Sequence, residues 1–163
     1  MGGGVLAVEP PFEPEHLVAA LNEAGIGYVI VGGLAVGAHG VVRATRDLDL
    51  VADPSPENLR LLADTLAALG ASHPVEGELT GPSLGRPVSM KLQTRHGEVH
   101  VLNRMPGTPE FRDLWRDRLL VEIETGVDAP ISSMAHLRAM KRASERPPDA
   151  VDLAELEELH GAG

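Results

Sequence analysis

The order of helices and strands along the sequence predicts a mixed α/β protein (α+β class), with a small mixed sheet, flanking helices and further helices at the C-terminus. Three observations predict this class. Leucines and alanines recur at helical spacing in several segments. Short runs that are rich in β-branched residues, or that alternate in polarity, lie between those segments. The chain has 163 residues and only four aromatic side chains, which is enough length to bury one aliphatic core.

Glycine and proline mark the ends of five predicted elements in the first half of the chain. These elements are a helix over 13–24, a buried strand over 26–31, a short helix over 34–39, a strand over 46–51 and a helix over 56–69. Ser55 is the expected N-cap of the last helix, because Pro56 suits the first helical position.

The second half of the chain begins with a loop over 71–87 that is rich in glycine, proline and serine. The predicted elements after it are strands over 88–94 and 98–103, a helix over 110–116, strands over 119–123 and 127–131, and two C-terminal helices. Ser132 or Ser133 is expected to cap the first of these helices and Asp149 the second. We therefore divide the chain into a loose leader (1–13), a core (14–130) and a C-terminal helical segment packed on the core (131–163).

Composition excludes several classes of function. The formal charge of −10 argues against a broad nucleic-acid surface, since basic residues supply the affinity there. The absence of cysteine rules out thiolate nucleophiles and cysteine zinc sites, and it is compatible with the cytoplasm, where we expect the protein. The uncharged stretch 24–42 contains six glycines, which favours a strand, a turn and a helix over a membrane span. The N-terminus lacks the basic region of a secretory signal.

The strongest functional pattern is Gly32-Gly33 followed by Asp47-Leu48-Asp49. Residues two apart on a strand face the same side, so the two carboxylates project together and repel unless a cation lies between them. Oxygen ligands of this kind suit Mg²⁺ or Mn²⁺. A glycine pair between a strand and a helix lets a phosphate approach the backbone. Taken singly, the acidic pair is also typical of a solvated edge strand, and the glycine pair of an ordinary turn.

The segment VIVGGLAVGAHGVVRATRDLDLVAD (29–53) resembles the core of the nucleotidyltransferase superfamily, which has a polymerase-β-like fold. It is most similar to a small bacterial branch that includes AbiEii-type toxins of toxin–antitoxin systems. EVHVLNRMPG (98–107) resembles the strand that carries the third carboxylate of the family. ISSMAHLRAMKRASERPPDAVDLAEL (131–156) resembles the C-terminal helical segment of that branch.

This resemblance implies a metal-dependent transfer of a nucleoside monophosphate from a nucleoside triphosphate (NTP) to a hydroxyl of tRNA, a protein or a small molecule. It implies that Asp47 and Asp49 hold Mg²⁺ or Mn²⁺, and that Gly32 and Gly33 hold the phosphates. It also implies a phosphate contact for Lys141 and an antitoxin-like partner. Arg46 is a further basic candidate beside the acidic pair, followed by Arg43 and Lys91.

The sequence departs from the family pattern at the third carboxylate, where it has Val99-His100-Val101. A neutral imidazole can bind a divalent ion, although it favours Zn²⁺ or Mn²⁺ over Mg²⁺, or it can act as a general base. Glu98 lies two residues earlier on the same face and could supply the missing oxygen ligand. His100 is also consistent with an activity that has been lost.

Two alternatives to an active transferase stay open at this point. The first is a non-catalytic module of the same fold that binds a nucleotide or a partner. The second is a nucleotide-sugar glycosyltransferase, in which an Asp-x-Asp pair also binds Mn²⁺. The chain is short for the usual glycosyltransferase sheet, and that function would leave Gly32-Gly33 unexplained.

Overall fold

A computed structural model describes residues 11–42, 44–72, 78–144 and 146–161. The predicted leader over 1–13 therefore lies outside the described residues except for 11–13. Arg43, one of the basic candidates, lies outside them as well.

The described residues form a single six-stranded mixed sheet with helices around it. The elements are α1 (Pro14–Glu23), β1 (Tyr28–Val31), α2 (Gly32–Ala38), β2 (Asp47–Ala52), α3 (Pro56–Ala68), α4 (Gly81–Gly85), β3 (Ser89–Thr94), β4 (Gly97–Leu102), α5 (Phe111–Arg116), β5 (Leu119–Glu124), β6 (Val127–Ile131), α6 (Met134–Ala143) and α7 (Pro147–His160). The strand order is β3-β4-β2-β1-β6-β5. The β2–β4 and β1–β6 pairs are parallel, and the other pairs are antiparallel. The predicted mixed α/β class is confirmed.

The main core is aliphatic and holds the two central strands in place. Leu48 and Leu50 of β2 are completely buried, in a cluster that also contains Leu17 of α1 and Leu62 of α3. Full burial of one such leucine stabilises the fold by about 1.5–3 kcal/mol. Because side chains alternate along a strand, the same burial turns Asp47 and Asp49 to the opposite face of the sheet.

A second, smaller apolar cluster joins the C-terminal helices to α2. It consists of Val36 of α2, Leu156 of α7 and Val41, which follows α2, with Met134 of α6 packed against them. The helix that follows the glycine pair therefore lies against the C-terminal helices. The division into a core over 14–130 and a helical segment over 131–163 stays a prediction.

One buried side chain, that of Asn58, fixes the ends of β1 and β2 to the start of α3. Its amide nitrogen donates to the backbone oxygens of Gly27, at 3.0 Å, and Asp53, at 2.9 Å, and its side-chain oxygen accepts from Gly27 N at 2.8 Å. Ser55 caps α3 as predicted, by accepting from the backbone N–H of Asn58. The two strands next to the site therefore share one set of hydrogen bonds outside the sheet.

The structure differs from the sequence-based expectations at two helices. The predicted loop over 71–87 contains α4, which starts with reciprocal hydrogen bonds between Thr80 and Ser83. Asp149 does not cap α7, so that prediction was wrong: Pro147 occupies the start of the helix and Arg146 is the N-cap residue. Asp149 lies in the first turn instead. Ser133, rather than Ser132, caps α6 by accepting from His136 N.

Among the described residues, no helix is both long and apolar enough to cross a membrane.

Candidate active site

The candidate site lies where β2 and β4 run side by side in parallel. Their register places Asp47 beside Glu98 and Asp49 beside His100. The residues between them, Leu48 and Val99, are completely buried, so these four polar side chains share the other face of the sheet. The sequence spacing of two residues on each strand therefore becomes a two-by-two polar patch.

Three members of this patch converge tightly. Asp47, Asp49 and His100 each offer a ligand atom, and these atoms all lie within 4.8 Å of one another. His100 Nδ1 is 3.3 Å from Asp49 Oδ1, with only 15% of the His100 side chain and 21% of the Asp49 side chain exposed. Glu98 lies on the same face, but it is outside this three-residue group.

Gly32 borders the site at the end of β1, and it is the first residue of α2. Its φ angle is +73°, a conformation that residues with a Cβ rarely adopt. A Cβ added at Gly32 would lie 2.8 Å from Asp49 Cγ and closer still to Oδ2. The glycine is therefore required both by its backbone conformation and by the position of the Asp49 carboxylate. Gly33, the second residue of α2, is half-buried.

The local charges favour a bound cation. Burial raises the pKa of Asp47, the neighbouring carboxylates of Asp49 and Glu98 raise it further, and His100 opposes them. Asp49 Oδ1 is buried and has no hydrogen-bond partner, although His100 Nδ1 lies 3.3 Å from it. A buried carboxylate oxygen without a partner is costly, and a metal ion would satisfy it. The donor set of two carboxylates and one imidazole fits a divalent ion.

A cavity of ≈ 130 Å³ opens beside this cluster. Gly32, Asp49 and His100 form one wall, and α6 with the start of α7 forms the opposite wall. Much of the remaining lining is aliphatic and comes from Val31, Leu102, Met105, Pro106, Leu137 and Met140. The cavity is therefore polar at Asp49 and His100 and again at Lys141, Ser144, Arg146 and Asp149, with aliphatic surface between these two polar regions.

Lys141 reaches the same cavity from α6, although it lies some ninety residues beyond the acidic pair in sequence. Its ammonium is buried between Asp149 Oδ1, at 2.6 Å, and Asp152 Oδ2, at 3.0 Å. Ser144 donates to the second oxygen of Asp149 at 2.5 Å. Burial alone would raise the pKa of Asp149, but the hydrogen bonds from Lys141 and Ser144 outweigh it and hold that pKa below its usual value.

The structure thus brings most of the predicted site residues together. Gly32, Asp49, His100 and Lys141 line one cavity, and Asp47 belongs to the three-residue group of candidate metal ligands. Arg46 is an exposed residue immediately before β2 and is not part of the cavity lining. Lys91 is exposed on β3, directly opposite His100 in the strand register.

Sequence reasoning missed the acidic partners of Lys141. Asp149 was expected to cap a helix, and Asp152, which is only 4% exposed, was assigned no role. Their spacing of three residues on one helix was the available signal, because residues so spaced lie on the same side. A lysine on the preceding helix could then have been paired with both.

A larger groove of ≈ 960 Å³ adjoins the cavity. The two openings share Leu102, Met105 and Thr108 as lining residues. Phe111 and Trp115 of α5 contribute aromatic surface to the groove, and 37% of Trp115 is exposed. The groove is therefore a neighbour of the cavity that Asp49 lines.

Comparison with known proteins supports the fold rather than a sequence family. No family model matches the sequence, and no curated protein is similar to it. The lincosamide antibiotic adenylyltransferase LnuA with bound lincomycin has a TM-score of 0.64 at 17% identity, over 93% of this chain and 99% of LnuA. The complex of ANT(2'')-Ia with adenylyl-2''-tobramycin has a TM-score of 0.57 at 16% identity, over 90% of this chain and 87% of ANT(2'')-Ia. An antigenic nucleotidyltransferase-like protein from Paracoccidioides brasiliensis has a TM-score of 0.57 at 19% identity, over 89% of this chain and 73% of that protein.

These similarities show that the chain has the fold of nucleotidyltransferases, in agreement with the resemblance drawn from its glycine and aspartate motifs. At identities below one fifth, the fold is what they establish.

Proposed function

We propose that the protein is a metal-dependent nucleotidyltransferase, which moves a nucleoside monophosphate from an NTP to an acceptor hydroxyl. The observation that carries this proposal is the convergence of Asp47, Asp49 and His100 beside Gly32, with an unpartnered buried oxygen on Asp49. The fold shared with known adenylyltransferases supports it. Asp47, Asp49 and His100 would hold a divalent ion such as Mg²⁺ or Mn²⁺, and Glu98 is placed to add an oxygen. When bound, the ion would neutralise negative charge on the phosphates.

The reaction exchanges one phosphorus–oxygen bond for another. The acceptor oxygen forms a bond to the α-phosphorus, while the bond from that phosphorus to the oxygen shared with the β-phosphate breaks. Pyrophosphate leaves with the bonding electrons, and the hydroxyl proton passes to water. Asp47 and Asp49 stay ionised in this step, because both would hold the metal ion.

The NTP is proposed to lie in the cavity between the metal ligands and α6. Gly32 and Gly33 would bring the phosphates close to the backbone at the start of α2. Lys141 has three donors and gives two of them to Asp149 and Asp152, which leaves one for a phosphate oxygen. The aliphatic walls would cover the base. Arg46 lies close in sequence to the aspartates and is proposed as an outer phosphate contact.

The acceptor is proposed to be a small molecule with a free hydroxyl, bound in the groove next to the cavity. Two proteins whose structures are similar to this one, LnuA and ANT(2'')-Ia, are seen with small molecules bound, lincomycin and adenylyl-2''-tobramycin. The net charge of −10 disfavours a polyanionic acceptor such as tRNA. A small acceptor needs no extended basic surface.

The test is a transfer assay with α-labelled NTPs, Mg²⁺ or Mn²⁺, and separate panels of polyhydroxylated small molecules, tRNA and protein. Label should move to a small molecule with release of pyrophosphate. Asp49→Asn should reduce the rate by roughly 10²-fold or more, because it removes charge from the site where metal and phosphates meet. Asp64→Asn is the matched control, since Asp64 lies in an exposed ion pair on α3. Equal rates in both variants would contradict the assigned site.

A second candidate is a nucleotide-binding module without turnover, favoured by His100 in the position where the family resemblance implies a carboxylate. Such a module would bind NTP with metal and gain thermal stability, yet release no pyrophosphate. The toxin-like branch and its antitoxin partner remain separate hypotheses. They would require growth arrest on expression, relieved by a co-expressed neighbouring gene product.

A further inference from the structure

We infer that His100 is a metal ligand, and that it makes the site select Co²⁺, Zn²⁺ and Mn²⁺ over Mg²⁺. Because the same residues would serve the transfer reaction, this inference rests on the proposed function for its biological meaning. The binding preference itself can be measured without NTP or acceptor.

Among the roles that the sequence left open for His100, its position supports that of a metal ligand. Its Nδ1 is 3.3 Å from Asp49 Oδ1, the buried oxygen that has no hydrogen-bond partner. The parallel register of β2 and β4 sets these two residues side by side, so the pairing is imposed by the sheet rather than by a flexible loop. Asp47 contributes its ligand atom to the same small volume. A cation in that volume would meet the imidazole nitrogen together with the carboxylate oxygens.

A nitrogen donor changes which ion binds best. Mg²⁺ prefers oxygen ligands and gives up its water reluctantly, whereas imidazole suits the first-row transition ions. Glu98 could restore an oxygen-rich site, but it is paired with Asp47 in the register and is not in the three-residue group. The described residues therefore present one nitrogen and two carboxylates, where the family resemblance implies carboxylates alone.

Replacing His100 by aspartate should reduce the preference for Co²⁺ over Mg²⁺. The experiment titrates the purified full-length protein with Co²⁺ or Mn²⁺, followed by Co²⁺ absorption or Mn²⁺ electron paramagnetic resonance, and measures Mg²⁺ by competition. The wild type should bind Co²⁺ at least about 10-fold more tightly than the His100→Asp variant, and this variant should bind Mg²⁺ more tightly than the wild type. His136→Asn is the matched control, because His136 pairs with Asp117 away from the cavity.

A second measurement needs no substitution at the site. The imidazole ¹⁵N resonances of the wild type are recorded as Co²⁺ or Zn²⁺ is added in amounts below one equivalent. The His100 nitrogens should respond first. A first response from other histidines, or an unchanged ratio of Co²⁺ to Mg²⁺ affinity in His100→Asp, would overturn the inference.

The two hypotheses fail in different ways. If metal binding follows His100 but no NTP and acceptor pair yields product, the metal assignment stands and the transferase function falls. If transfer proceeds and the metal preference is the same with or without His100, the transferase stands and the metal assignment falls.

Discussion

Gly32 and Asp49 are in contact across the β1–β2 pair, and the space for a Cβ at residue 32 is already occupied by the Asp49 carboxylate. One glycine therefore shapes the group of candidate metal ligands as well as the bend into α2. Close approach of a phosphate, the usual explanation of such a glycine pair, is only one reason for a glycine at position 32. The Asp49 carboxylate also occupies the space that a Cβ would need.

Gly32→Ala should displace Asp49 and abolish metal binding at the site. The substitution also forces a residue with a Cβ to adopt φ of +73°, which costs about 1 kcal/mol or more. Gly37→Ala is the control, because it lies in the same helix and a Cβ there meets nothing within 4 Å. We expect Gly37→Ala to keep metal binding and to be neutral or stabilising by about 0.5–1 kcal/mol. Equal metal affinity in both variants, measured by calorimetry, would contradict the role assigned to Gly32.

Asp47→Asn should stabilise the metal-free protein. The Asp47 pKa is raised above its ordinary value of 3.8 by burial and by Asp49 and Glu98, so the folded state holds this proton more tightly than the unfolded state does. Asp47 therefore lowers the stability of the folded protein progressively as the pH rises above 3.8 and its carboxyl group loses the proton.

The measurement is the Tm of both proteins in a chelating buffer from pH 4 to pH 8. The variant should have the higher Tm at the upper end of this range, where the wild-type Asp47 is charged, and the difference should shrink towards pH 4. Added Mn²⁺ should stabilise the wild type more than the variant. A Tm difference that is the same at every pH would show that the carboxylate charge is not its cause.

Lys141→Met should destabilise the fold, because it leaves Asp149 and Asp152 as buried carboxylates without their cation. Removal of one partner from such a group costs about 3–5 kcal/mol, measured by urea unfolding. The triple variant Lys141→Met, Asp149→Asn, Asp152→Asn should recover most of this loss. If Lys141 also contacts phosphate, the recovered protein should still bind NTP at least about 10-fold more weakly than the wild type. Full recovery of NTP affinity would limit Lys141 to a structural role.

Acid should weaken the packing of α7 on α6, because it protonates a carboxylate that pairs with Lys141. The pKa of Asp149 is held below its ordinary value of 3.8 by Lys141 and Ser144, so its stabilising contribution is present above that pH. It is lost as the pH falls below 3.8 towards the lowered pKa. Amide hydrogen exchange near pH 3 should show α7 losing protection before β1 and β2. Simultaneous loss in all three elements would contradict a separate contribution from this network.

The sequence was sufficient for the parts of the fold that depend on local pattern. Alternation placed β2 and its two aspartates, and the Ser55-Pro56 signal placed the start of α3, because each depends on neighbouring residues. The α4 helix was missed since five residues are too few to show a helical period. The partners of Lys141 were missed since ion pairs between helices depend on how the helices pack.

The candidate site shows the same division. The spacing of Asp47 and Asp49 predicted a shared face, and the spacing of Glu98 and His100 predicted another. The parallel register of β2 and β4 determines that Asp49 lies beside His100. This register is a long-range feature, which local periodicity does not contain. The nearness of His100 to Asp49, on which the inferred metal preference depends, therefore became visible only in the structure.

The hydrogen bonds of Asn58 are expected to support the site from outside it. Its side chain bonds to Gly27 at the entry to β1 and to Asp53 at the exit from β2, and it is only 8% exposed. Asn58→Ala would remove the side-chain partner of Gly27 N and of Asp53 O, whereas Gly27 O keeps its hydrogen bond from Asp53 N. The cost is about 1–3 kcal/mol for each of these groups that water does not reach.

Asn58→Asp separates these bonds, because the carboxylate still accepts from Gly27 N but cannot donate to the two backbone oxygens. Both variants should unfold at lower urea concentration than the wild type. Ser55→Ala is the reference for the cap alone and should cost about 1 kcal/mol. Gly32 follows the far end of β1, and Asp49 lies in the far half of β2. Loosening this junction should therefore weaken metal binding in the Asn58 variants more than in Ser55→Ala. Unchanged metal affinity at reduced stability would show that the sheet alone positions the site.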